Sequence, residues 1–204
     1  MTSVTLTPDT ATPLAESHHR VLAAAARQSK AVRKAARVAN FNGWTTAIIA
    51  ALSAVVTLFA FDLIGLLVTL ALFFVAYNEF RGRKRLLDFD PARATLLGWN
   101  QVGLLTLIVV YCLWALYSNL YGSSSIEAQL KANPQLGAAF GSLDEMNDLL
   151  KPIVVAFYAT VIALSAVFQG GNALYYFSRR KYVEQYVRET PAWVIDLQRA
   201  TSAT

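Results

Sequence analysis

Residues 41–77 read "FNGWTTAIIAALSAVVTLFAFDLIGLLVTLALFFVAY". How often this stretch crosses an apolar layer decides the fold. It holds one charge, Asp62, near its middle. As one helix it would run about 55 Å at ~1.5 Å per residue, whereas a bilayer core is only about 30 Å thick. Two crossings joined by a tight turn at "FDLIG" fit better, with Asp62 at the tip and Gly65 relaxing the turn. A hairpin that dipped in and returned would leave Asp62 near the bilayer centre, at roughly 2.5–3.5 kcal/mol. Full crossing is therefore expected.

Two further runs carry no charge, Leu96–Tyr121 and Pro152–Ser178. Each exceeds the ~20 apolar residues of a membrane helix. The composition agrees: 55% of the 204 residues are hydrophobic and only 15% charged, against about 25% charged in soluble domains. The fold class is all-α, a polytopic membrane protein with four transmembrane helices. The expected spans are 43–61, 63–80, 96–121 and 152–178.

The basic residues set the threading. Sixteen of the 18 lie in three clusters, before residue 38, at 81–93 and after 178. The other two, Lys131 and Lys151, share the 122–151 loop with Glu127, Asp144, Glu145 and Asp148. The positive-inside rule puts the three basic clusters in the cytoplasm and the acidic loop outside. Four crossings satisfy this with N-in/C-in topology; three or five do not. The expected location is the inner or plasma membrane of a bacterium.

The domain plan follows. Residues 1–14 read as a disordered leader with no signal-peptide pattern. Residues 15–40 are helix formers with recurring Arg and Lys and no Gly or Pro, a basic cytoplasmic helix held at anionic inner-leaflet headgroups or docking a partner. Residues 41–178 form the transmembrane domain. Within its outer loop, 122–151, Ser142 and Glu145 have capping-box spacing. The tail, 179–204, continues as a helix to about Arg188 and breaks near Pro191, with Trp193, Val194 and Leu197 free to rest on the membrane or a partner.

Two seams mark the spans. Ala156, Ala159, Ala163, Ala166, Gly170 and Ala173 fall at alternating spacings of three and four, on one stripe of the fourth span. The first span has Thr46, Ala50, Ser53, Thr57 and Ala60. Membrane helices associate through small residues and polar bonds, so these two faces are expected to pack together, within one chain or between chains. A polar stripe, Tyr158, Ser165, Gln169, Asn172 and Tyr176, runs beside the fourth-span seam. The third span presents Asn100, Leu104, Leu107, Tyr111 and Trp114. Asn100 and Gln101 lie at the depth of Gln169 and Asn172, so the four amides are expected to meet at the inner edge, with Trp99 as an interfacial anchor.

Catalytic signals are missing. Ionisable residues at mid-depth mark membrane enzymes and transporters, and the spans show none; Asp62 and Glu79 sit at their ends. There is no HExxH, GxSxG or CxxC pattern. His18 and His19 diverge on a helix and lie outside the spans, so no metal, haem or other cofactor is expected. Cys112 is alone and reads as a buried side chain. The "RGRKR" run is a positive-inside signal rather than a nucleic-acid site. The expected function is non-enzymatic, an accessory, scaffold or assembly subunit bound to another membrane protein or to itself. The alternative is a small oligomeric channel or transporter lined by the polar stripe.

Overall fold

The computed structural model describes residues 15–60, 63–121 and 143–202, apart from the side chains of 60, 143–149 and 202. The expected leader, the expected turn at Asp62 and most of the 122–151 loop lie outside the described residues. Every element among the described residues is a helix: α1 (Glu16–Gln28), α2 (Lys30–Ala60), α3 (Leu63–Leu87), α4 (Pro91–Tyr121), α5 (Leu143–Glu189) and α6 (Ala192–Ser202). Four of them are long and apolar enough to cross a membrane: α2, α3, α4 and α5. α2 packs along α3 and α4 along α5. The α3–α4 contact joins the two pairs, and α2 touches α5 more slightly.

Local chemistry explains the ends. α3 stops in a Schellman motif: Asp90 N donates to the Arg85 carbonyl at 3.2 Å and Phe89 N to the Leu86 carbonyl at 3.0 Å. Phe89 takes the left-handed position, φ 59°, where glycine is usual. Its ring is buried and lies 4.8 Å from the Tyr186 ring, which offsets that backbone cost. Asp90 then caps α4, its Oδ1 accepting from Ala92 N at 3.0 Å, with Pro91 at the first helical position. The α3–α4 reversal is thus held at both sides within four residues.

Two expectations are corrected. The 15–40 helix is divided at Ser29, which is buried and whose Oγ bonds back to the Ala26 carbonyl at 3.2 Å. Residues 143–151 run on into the fourth span, because α5 continues through Pro152; proline is tolerated inside membrane helices where neighbouring groups adjust. Val194 does not rest on an outer surface. It is buried with Ile195 in a core shared with Ala25, Val32, Ala35, Leu97, Tyr176 and Val183.

That core sits at the basic end, where six helices converge. α1 seats on the C-terminal elements through His18 against Trp193, ring centroids 5.6 Å apart, and Gln28 to Glu189. α6 folds back, with Gln198 accepting from Tyr186 OH at 2.7 Å and Arg199 donating to the Asp88 carbonyl. Glycines allow the close crossings. A Cβ on Gly82 would meet Leu97 at 2.5 Å, and one on Gly98 would meet the Phe177 ring at 2.5 Å. The second core, at span level, is smaller: Ala50, Leu72, Val75 and Leu104.

Candidate functional site

The site is built around Glu79. Along α3 the buried positions are Thr69, Leu72, Val75, Ala76, Glu79, Gly82 and Leu86, a three-and-four spacing that marks one helix face. Glu79 therefore points into the bundle, and it is wholly buried. On α4 the matching stripe is Leu97, Gly98, Gln101, Leu104, Cys112 and Ala115. α3 and α4 run in opposite directions, so the adjacent pairs Asn78-Glu79 and Asn100-Gln101 come level.

Four helices then supply one polar layer. Asn100 Nδ2 donates to Glu79 Oε1 at 2.9 Å, and Gln101 Nε2 to the same oxygen at 2.7 Å. Tyr176 OH, from α5, donates to Glu79 Oε2 at 3.1 Å. Asn42 Nδ2, from α2, donates to Tyr176 OH at 3.2 Å. Asn78 Nδ2 donates to Asn100 Oδ1 at 3.3 Å, and Asn100 Nδ2 also reaches the Val75 carbonyl at 3.1 Å. Each donor lies a turn or two from the first cation on its own helix: Arg37, Arg81, Arg93 and Arg179. The layer marks where charge gives way to apolar surface.

Chemically the layer is an acceptor surrounded by donors. Among the described residues no cation pairs with Glu79, and no three of His, Cys, Asp and Glu lie close enough to hold a metal ion. The bonds tie all four long helices at one depth. Such an arrangement fixes helix positions rather than exposing a reactive group, because none of the Glu79 carboxyl is open to solvent.

The expected meeting of the amides is therefore corrected. Asn100 and Gln101 give their donors to Glu79, not to Gln169 or Asn172. A carboxyl group offers two oxygens and about four lone-pair sites, a better sink than another amide. Gln169 and Asn172 are half-buried and make no side-chain hydrogen bond among the described residues. They share a cavity with Gln101 and Asn42, of about 650 Å3, between α2, α4 and α5 and floored by Val68 and Leu72 of α3. Trp99 lies outside this layer, exposed and edge-on to Phe177 at 5.9 Å.

The two small-residue seams do not pack on each other within the chain. Thr46, Ala50 and Thr57 are buried, and Ser53 shares a 2.7 Å hydroxyl bond with Thr69 of α3. Ala156, Ala159, Ala163 and Ala166 are exposed, Gly170 is half-buried and Ala173 is buried. The physical reason is that α2 spends its small face on α3. Glu79, Asn42 and Asn78 belong to the layer although sequence reasoning left them out of the amide cluster, and Tyr176, read there only as the end of the polar stripe, belongs to it too. The three-and-four stripe through Thr69, Leu72, Val75, Glu79 and Gly82 was the signal for Glu79.

No protein-family model, no curated protein and no solved structure matches this chain.

Proposed function

We propose that this chain is a non-enzymatic subunit of a membrane assembly, N-in and C-in, acting through its fourth span and its basic end. One observation carries the reading: the outer half of α5 presents Ala156, Ala159, Ala163 and Ala166 to the outside of the bundle. Above Gly170 and Gly171 there is open space to 4 Å. Small residues let a second membrane helix approach closely. The occupant of this face is a transmembrane helix, from a different protein in the first reading and from a second copy in the other. The sealed Glu79 layer favours a fixed scaffold over a reacting centre.

The basic end supports the orientation. Lys30, Arg33, Lys34 and Arg37 of α2 and Arg83 of α3 line a groove of about 630 Å3. Among the described residues no acidic side chain pairs with any of the five. Phe41 and Trp44 stand exposed just beyond on α2. A row of unpaired cations below an apolar belt suits the anionic headgroups of a cytoplasmic leaflet.

The channel alternative draws on the cavity, which Tyr158, Ser165, Gln169 and Asn172 line. Tyr176, the fifth member of the stripe, is buried on Glu79, so a route along one bundle meets the tied layer. A pore would have to form between copies.

The test is gentle extraction of the tagged chain from its own membrane, followed by native mass measurement and disulfide trapping with Ala159→Cys and Ala163→Cys. A stoichiometric foreign protein trapped through these positions supports the subunit reading. A chain that stays monomeric and untrapped at both positions would sink it.

A further inference from the structure

We propose that the 650 Å3 cavity between α2, α4 and α5 binds an uncharged, single-chain amphiphile with a hydroxyl-bearing head. The site lies within one chain, so it does not rest on the subunit reading.

Its shape suits one hydrocarbon chain. The walls are apolar, with Ile49, Leu72, Leu104, Ile108, Phe157 and Leu164 among them. From Gln101 to Cys112 the cavity follows α4 for about 17 Å at 1.5 Å per residue, and from Asn172 to Phe157 it follows α5 for about 22 Å. One leaflet of hydrocarbon is about 15 Å deep, half of a ~30 Å core. The volume falls in the roughly 300–1,000 Å3 range of small-ligand sites. At this depth the surrounding solvent is lipid, so a hydrocarbon chain is the natural filling.

The head is specified at the end near Glu79. Three amides line the cavity there: Gln101, Gln169 and Asn172. Gln101 is 1% exposed, and its Oε1 is a buried acceptor with no donor among the described residues. Such an orphan is costly. Gln169 and Asn172 make no side-chain hydrogen bond among the described residues, so their amide groups are available. The set asks for a group that both donates and accepts. None of the lining residues is charged, and the nearest carboxyl, on Glu79, lies 2.7 Å from Gln101 Nε2. An anionic head would enter without a counter-ion and beside a carboxyl group, which is unfavourable. A hydroxyl meets both demands: it donates to Gln101 Oε1 after a small side-chain turn and accepts from the other amides.

The test uses the full chain in detergent micelles. The probe is a monoacylglycerol carrying a diazirine in its chain, with unlabelled monooleoylglycerol and oleate as competitors. Labelling should saturate and map to the lining positions Leu104, Leu107 and Ile108 of α4 and Phe157, Val161 and Leu164 of α5. Monooleoylglycerol should compete about tenfold better than oleate, the difference expected of one well-made buried polar contact. Ile108→Trp should fill the cavity and remove the saturable labelling. Leu164→Trp does the same from the opposite wall, in case the first variant is not monodisperse. Gln169→Leu should keep the labelling and erase the preference over oleate. Labelling that spreads over lipid-facing Val110 and Leu113, or survives both tryptophans, overturns the site. Equal competition by oleate overturns the head assignment.

Discussion

Two regions of this bundle share its four long helices, with α1 and α6 added at the basic end, and hold together differently. At the basic end the core is broad and dry: Ala25, Ala35, Leu86, Leu97, Tyr176, Val183 and Tyr186 are all but closed off. A few residues further along, the core shrinks to Ala50, Leu72, Val75 and Leu104, and a cavity replaces the missing contacts. The difference has a physical cause. Water drives apolar groups together at the end that leaves the membrane. At span level lipid is as apolar as leucine, so exclusion supplies nothing and helices hold only where small residues or polar bonds let them. The Glu79 layer stands at the border and joins the two regimes.

This comparison can be broken, beginning with its border. Glu79→Leu leaves Asn100, Gln101 and Tyr176 donors without their acceptor, at about 1–3 kcal/mol per orphaned group. We expect a loss of at least 3 kcal/mol in a reversible unfolding assay in micelles, the largest effect of any single change. Glu79→Gln keeps the shape and most of the bonds, and should lose about 1 kcal/mol. Equal stability of Glu79→Leu and wild type would mean the layer holds nothing.

Next comes the packing at the basic end. Gly98→Ala forces a methyl into the Phe177 ring and should cost about 1–3 kcal/mol, as overpacking does. Gly103→Ala, five residues on, meets nothing within 4 Å and should change thermal stability by less than about 0.5 kcal/mol. If the two substitutions cost the same, the contrast between the ends fails. At span level, Ser53→Ala removes the hydroxyl bond to Thr69. It should cost about 0.6 kcal/mol, the average for such bonds between membrane helices, and a double-mutant cycle with Thr69→Ala would sharpen the figure.

The sequence made the four long apolar helices legible because hydropathy needs no knowledge of neighbours. What it hid was rotation. The expected face of the third span, Asn100, Leu104, Leu107 and Tyr111, shares only Leu104 with the buried stripe Leu97, Gly98, Gln101, Leu104 and Cys112. An α-helix turns about 100° per residue, so a one-residue error exchanges an inward amide for a sideways one. Glu79 was hidden by its company. It stands two residues before Arg81 in a run rich in cations, and so reads as a margin residue until α4 and α5 are seen to close over it. The exposure of Ala156–Ala166 was hidden for a related reason. A small-residue stripe shows that close approach is allowed, not which helix accepts it.

One feature of α5 reaches beyond packing. It is a single helix of 47 residues, about 70 Å long at 1.5 Å per residue, more than twice the thickness of the hydrocarbon it crosses. Its N-terminal half bears the open seam, its middle carries Tyr176, and its C-terminal end holds Tyr186 and, through it, α6. The same continuous helix therefore joins three surfaces that are otherwise separate, the open seam, the Glu79 layer and the cap formed with α1 and α6.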